Sequence, residues 1–245
     1  MNSTCFAGAD DDSLPVYLIS KDDVESGNLE PPVKEWIGQT QFRGSEGEFQ
    51  LLPGADGVLA GALFGVGGGL DQNPFAAGTL ARKLPAGNWH LENAGDLAFL
   101  TALGFGLGSY HFDRYKKREI PKPKLVCEPD GARAQLDCIL RGCNLARDLV
   151  NTPVNDMGPD ELEKSLRDLA GEHSAKVKSV HGDALLDENF PMIHAVGRAS
   201  SSAPRLLDLT WGREDAPKVT LIGKGVCFDT GGLDIKPAAG MLLMK

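Results

Sequence analysis

Lys224, Asp229 and Lys236 lie in one stretch, Lys218 to Lys245, with the sequence K-V-T-L-I-G-K-G-V-C-F-D-T-G-G-L-D-I-K-P-A-A-G-M-L-L-M-K. Two chemistries are open to them. A lysine and an aspartate at the end of a buried strand can simply pair as a salt bridge. Alternatively, Asp229 and an unprotonated Lys224 bind a divalent cation, while Lys236 stays charged and polarises a carbonyl. Holding a lysine neutral at pH 7 against a reference pKa of about 10.4 costs about 4 to 5 kcal/mol, more than one carboxylate supplies. The metal reading therefore needs further carboxylates.

These side chains must be positioned by what precedes them. Val219 to Ile222 is a short apolar run rich in β-branched residues, followed by Gly223, Gly225, Gly231 and Gly232. That pattern predicts a buried strand emptying into a glycine-rich loop, the place where open α/β sheets keep their chemistry.

The run G-K-G-V-C-F-D-T-G-G-L-D-I-K-P followed by G-M-L-L-M-K resembles the signature region of the leucyl aminopeptidase family, the M17 cytosol aminopeptidases. A-R-D-L-V-N-T-P-V-N-D-M-G-P-D-E-L, Ala146 to Leu162, resembles the segment by which that family enters its catalytic domain, and G-S-Y-H-F-D-R-Y-K-K, Gly108 to Lys117, extends the likeness. The resemblance implies an N-terminal α/β domain followed by the first part of a mixed-sheet α/β catalytic domain. It makes Lys224 and Asp229 metal ligands, Lys236 the electrophilic lysine, and Met244 part of the pocket for the substrate's first side chain. It also implies a hydrolase that releases N-terminal residues from peptides with two divalent ions, manganese or zinc, as a cytoplasmic hexamer. In the family the M-K of Met244 and Lys245 runs straight into an aspartate ligand, and a later aspartate, glutamate and arginine complete the site. This sequence stops before them, so the expectation for the 245-residue chain is weak metal binding and no catalysis. The competing class is a non-catalytic α/β ligand-binding or oligomerisation module in which Lys224 and Asp229 are an ordinary ion pair.

Composition agrees with a globular chain of one large or two ordinary domains: 245 residues, 42% hydrophobic and 24% charged. A formal net charge of -9 argues against nucleic acid or an anionic membrane as partner. The five cysteines are odd in number and form no C-x-x-C pair, which fits a reducing cytoplasm, and Cys138 and Cys143, five apart in a helical run, read as small core fillers rather than zinc ligands. Neither a signal peptide nor a long apolar span is present in the sequence.

The domain expectation is residues 1–125 as the N-terminal α/β domain, 126–150 as a linking helix, and 151–245 as the start of the catalytic domain. Leu14 to Ile19 reads as a strand, and Val58 to Val66 as another ending in Gly67, Gly68 and Gly69. That cluster fails the G-x-G-x-x-G test, since Leu70 takes the last place, so it is assigned to a turn. Asn73 to Leu84 and Ala94 to Gly108 have helical spacing, and Gly104, Gly106 and Gly108 suggest close helix packing. Tyr110 to Lys117 reads as a solvated helix end. Ile120 to Asp130 holds three prolines and reads as an extended connection or edge strand. Ala132 to Val150 carries an apolar stripe at helical spacing. Asn155 and Asp156 are expected to cap and turn the backbone before the helix opened by Pro159. Strands are then expected at Lys176 to Val180, Met192 to Val196 and Leu206 to Trp211, with a short helix at Gly182 to Glu188. His194 is expected as a core histidine, and Arg198 with the serines 200 to 202 as a polar loop.

Overall fold

Alternate residues of two neighbouring strands face opposite cores. On β2 (Leu14–Ile19) and β4 (Leu59–Gly65), Val16, Leu18, Ala62 and Phe64 enter one apolar cluster, whereas Ile19 and Leu63 enter the other. A sheet buried on both faces needs apolar residues at successive positions, which is why these strands read as near-continuous hydrophobic runs. In the computed structural model the described residues are 5–8, 12–54, 57–117, 122–126, 130–242 and 244. They form two compact units, Met1–Ala146 and Arg147–Lys245.

The first unit is built on a six-stranded sheet in the order β1-β6-β5-β2-β4-β3, adding β1 (Phe6–Ala7), β3 (Phe49–Pro53), β5 (Gly87–Glu92) and β6 (Pro123–Val126). All neighbours run parallel except β3 against β4, so the α/β class with a mixed sheet is observed. One face is covered by α1 (Lys21–Ser26) and α2 (Pro31–Thr40), with Val33 and Ile37 of α2 in the core there. The other receives α3 (Leu80–Lys83), α4 (Ala98–Gly108) and the first part of α5 (Asp130–Asn151), through Leu80, Phe105, Leu136 and Leu140.

Two glycine expectations acquire physical reasons. The turn at Gly67 to Gly69 has φ of +64° and +109° at its ends, and the Gly67 N–H donates to Gly44 O at 2.8 Å. No phosphate loop is formed there. At Gly108 an added Cβ would stand 1.8 Å from Gly78 O, so α4 meets that turn backbone to backbone.

Some expectations need correction. β6 is not an edge strand but lies between β1 and β5. Pro123 is tolerated because it is the first residue of the strand, where a missing N–H costs least. Residues 118–121 and 127–129, with Cys127 among them, lie outside the described residues. The expected helix at Asn73 to Leu84 is divided into a 3-10 turn at Ala76–Thr79 and the single turn of α3. Tyr110 to Lys117 follows the end of α4 without helical structure, its last residues exposed.

The second unit contains α6 (Pro159–Glu172), the antiparallel pair of β7 (Lys176–His181) and β8 (Arg205–Thr210), the short helices α7 (Ala184–Asp187) and α8 (Pro191–Gly197), and the terminal turn α9 (Ala238–Met241). The expected strand at Met192 to Val196 is α8 instead. Pro191 presets its first turn, and a five-residue apolar run cannot tell strand from helix. His194, its side chain 17% exposed, places Nε2 3.2 Å from Asp183 Oδ1. Asn155 and Asp156 form the turn closed by Asp156 N–H to Pro153 O at 2.9 Å. The cap itself is Gly158, whose N–H donates to Glu161 Oε2 at 3.0 Å.

Arg205 ties β8 to α6. Its guanidinium donates to Asp160 Oδ1 at 2.6 Å and Glu163 Oε2 at 2.7 Å, and Ser202 Oγ donates to Asp160 Oδ2 at 2.5 Å, so the serine loop is structural. Hydrogen bonds from Ser202 and then Arg205 hold the Asp160 carboxyl below its ordinary range. Burial opposes ionisation of Glu163, but hydrogen bonds from Arg167 and Arg205 outweigh it and lower that carboxyl too. Carboxyls depressed in the folded state contribute stability above their unfolded pKa of about 4, and that contribution disappears as pH falls through the folded values. Arg205→Ala is expected to cost about 2 kcal/mol at pH 7, between an exposed and a fully buried pair. The cost should shrink below about pH 4, when urea denaturation of wild type and variant is compared across pH.

Candidate functional site

The strand expected at Val219 to Ile222 is not formed. Val219, Leu221 and Ile222 are 83%, 92% and 94% exposed, and no ladder partner lies beside them among the described residues. β-branched side chains favour extension, but a strand is completed only by a neighbour's N–H and C=O groups, and among the described residues β8 pairs only with β7. The residues that follow nevertheless converge. A cavity of about 310 Å³ in the second unit is lined by Lys224, Asp229 and Met244, with Leu149, Met157 and Leu162 on its apolar side.

The glycines shape this loop at two points. Gly231 has φ +91°, and a Cβ on it would stand 2.2 Å from Asp234 O. Gly225 approaches Leu162 so closely that a Cβ would meet its Cδ2 at 3.0 Å. A side chain at 225 would press on that Leu162 methyl, so glycine lets the loop lie close to the cavity's apolar wall.

The ion pair in the site is not the one expected. Asp229 binds Lys236, with Nζ 2.5 Å from Oδ2, while its Oδ1 accepts the Gly231 N–H at 2.8 Å. Those two hydrogen bonds, the lysine's first, hold the Asp229 carboxyl below its usual range. Lys236 Nζ also lies 3.3 Å from Met244 Sδ, and its backbone N–H donates to Thr230 O at 2.8 Å. Lys224 lines the cavity without an ion pair among the described residues. The structure thus brings Lys224, Asp229 and Met244 to one cavity and joins Lys236 to two of them.

As arranged, these residues do not by themselves fit a divalent ion. Such ions take four or more N, O or S donors. Both Asp229 oxygens are already engaged, and the described residues contain no group of three or more His, Cys, Asp or Glu side chains able to hold a metal. Sequence reasoning missed the apolar wall. Helical spacing alone assigns Leu149 and Leu162 to the buried stripes of their helices, and only the turn between α5 and α6 shows that they and Met157 line a cavity.

The two parts of the chain match two parts of one peptidase class. Residues 14–128 match the M17 aminopeptidase N-terminal domain, and residues 144–245 match the catalytic domain of the cytosol aminopeptidase family. The chain belongs to this family, the M17 metal-dependent peptidases. It is similar to a probable cytosol aminopeptidase from Corynebacterium efficiens, 35% identical over 81% of this chain and 43% of the relative. Its fold is similar to the crystal structure of the cytosol aminopeptidase from Coxiella burnetii, with TM-score 0.88 and 38% identity over 98% of this chain and 53% of that one. It is also similar to the bottromycin maturation enzyme BotP in complex with Mn, with TM-score 0.75 and 27% identity over 94% of this chain and 52% of that one. The chain spans about half the length of the curated relatives it matches. No helix among the described residues is long and apolar enough to cross a membrane.

Proposed function

We propose that the whole protein is a metal-dependent aminopeptidase releasing N-terminal amino acids from peptides. The observation that carries this is the convergence of Lys224, Asp229 and Met244 on one half-apolar cavity, with Lys236 bonded to two of them, inside the segment that matches the catalytic domain. Two divalent ions, manganese or zinc, serve this function. Manganese is supported by the relative solved with Mn, and Lys224 and Asp229 are the ligands these residues contribute. Met244 and the apolar wall of Leu149, Met157 and Leu162 receive the substrate's first side chain. Lys236 supplies a positive charge where an oxyanion develops on the scissile carbonyl, a use that suits a cation fixed on a short loop. The protein works in the cytoplasm as a homo-oligomer, a hexamer, as names and resemblance suggest.

Among the described residues no group of three or more His, Cys, Asp or Glu side chains completes such a site. In manganese buffer the 245-residue chain is expected to release no p-nitroaniline from leucine p-nitroanilide above background. The coding sequence expressed through any continuation past Lys245 is expected to hydrolyse it. Hydrolysis by neither overturns the proposed function, and turnover by the short chain overturns its proposed inactivity.

A further inference from the structure

The first unit holds a second group of side chains suited to chemistry. On β5, Trp89 and Leu91 turn into the core, so Asn88, His90 and Glu92 project together on the opposite face of the sheet. β2 runs parallel beside it with Leu14 in register with Trp89, which brings Ser13, at the entry of β2, to the face of His90. There the three side chains meet. Ser13 Oγ lies 2.9 Å from His90 Nδ1, and His90 Nε2 lies 3.2 Å from Glu92 Oε1. Ser13 and His90 are 77 residues apart in the chain, so no local motif announces them.

The chemistry of the partners fixes where the protons sit. An ionised carboxylate only accepts, so in the neutral imidazole the hydrogen facing Glu92 is on Nε2. Nδ1 is then an acceptor, and the Ser13 hydroxyl donates to it. That order is a nucleophile, its base, and a residue that orients the base. Asn88, one step back on the same face, holds its amide Nδ2 3.3 Å from Asp12 O, beside the Ser13 peptide, where a donor can serve a developing oxyanion. We propose that Ser13, His90 and Glu92 form a second nucleophilic centre, which takes an acyl group from small activated esters. Ser13 Oγ bonds the ester's carbonyl carbon as its proton passes to His90 Nδ1. The bond from that carbon to the alcohol oxygen then breaks, and the alcohol leaves with the proton. Water repeats the sequence on the acyl-serine, releasing the acid and restoring the hydroxyl. Glu92 is a positioning residue that holds the imidazole in the productive tautomer. The side chains of His90 and Glu92 are 35% and 46% exposed, so the face does not exclude water, and its substrate is an ester with a good leaving group rather than an amide.

p-Nitrophenyl acetate tests this, given to the 245-residue chain in EDTA so that no metal-dependent hydrolysis contributes. The folded chain is expected to release p-nitrophenol faster than the same chain in denaturing urea, and acid-quenched protein is expected to carry acetyl on Ser13 by peptide mass mapping. Ser13→Ala deletes one oxygen and is the decisive variant, expected to fall to the rate of the denatured chain. His90→Gln is expected to lower the Ser13-dependent rate about 10²-fold or more, the usual contribution of a general base. Glu92→Gln is expected to lose less of the rate, and nitrogen NMR of the His90 ring should then show two tautomers in place of one, a change that a purely structural role would not produce. Circular dichroism confirms that each variant keeps its secondary structure. The proposal is overturned if Ser13→Ala, or a folded His90→Gln, reacts as fast as wild type, and the three residues are then only a polar tie between β2 and β5. Glu92→Gln at the wild-type rate overturns the role given to Glu92.

Discussion

Lys236→Met in the whole, metal-loaded enzyme is expected to lower kcat about 10²–10³-fold, the usual cost of removing one preorganised oxyanion partner. KM should change little, because the oxyanion exists in the transition state and not in the bound peptide. A loss in kcat with KM unchanged separates a lysine that acts on substrate from one that merely holds the loop together. A loop defect would disturb substrate binding as well. Initial rates with leucine p-nitroanilide at saturating manganese give the first quantity. A kcat within tenfold of wild type would remove Lys236 from the catalytic machinery.

The largest stability effect is expected at Trp89. Its side chain is 1% exposed at the centre of the first unit's sheet, facing Leu14 of β2 and Leu125 of β6 in register. Its indole N–H donates to Pro85 O at 3.1 Å. Trp89→Ala removes a large buried aromatic, leaves a cavity that close-packed neighbours cannot fill, and strips that carbonyl of its donor. The expected cost is about 3–5 kcal/mol. Against a total stability of about 5–15 kcal/mol, this should lower the thermal midpoint by roughly 10 °C, read by circular dichroism so that loss of the fluorophore does not interfere. A shift of under about 3 °C would mean the site collapses or is hydrated, and the tight sheet packing would be wrong.

How much of this was legible beforehand differs between the two units. Strand β2 was placed from sequence residue for residue, and α5 from the stripe that includes Leu136 and Leu140, both fully buried. In each, hydrophobic period and secondary structure agree because the burying partner belongs to the same unit. Met192 to Val196 and Val219 to Ile222 show the opposite. Each is a short apolar run whose composition fits a strand. One became a helix behind Pro191, and the other remains solvent-exposed without a ladder partner among the described residues. β6 was misjudged for a related reason, since proline content speaks to the missing N–H and not to which strands lie on either side.

For the candidate site, residue types singled out Lys224, Asp229 and Lys236 and the family resemblance added Met244; the structure brings Lys224, Asp229 and Met244 to one cavity. Which lysine pairs with Asp229 was not readable in the sequence. Lys224 and Lys236 carry the same charge and lie at comparable distances along the chain. The left-handed turn at Gly231 sends the later one back onto the carboxylate. Charge and donor type belong to the residue, whereas pairing depends on a few ångströms of backbone path, and that path exists only once the loop has folded.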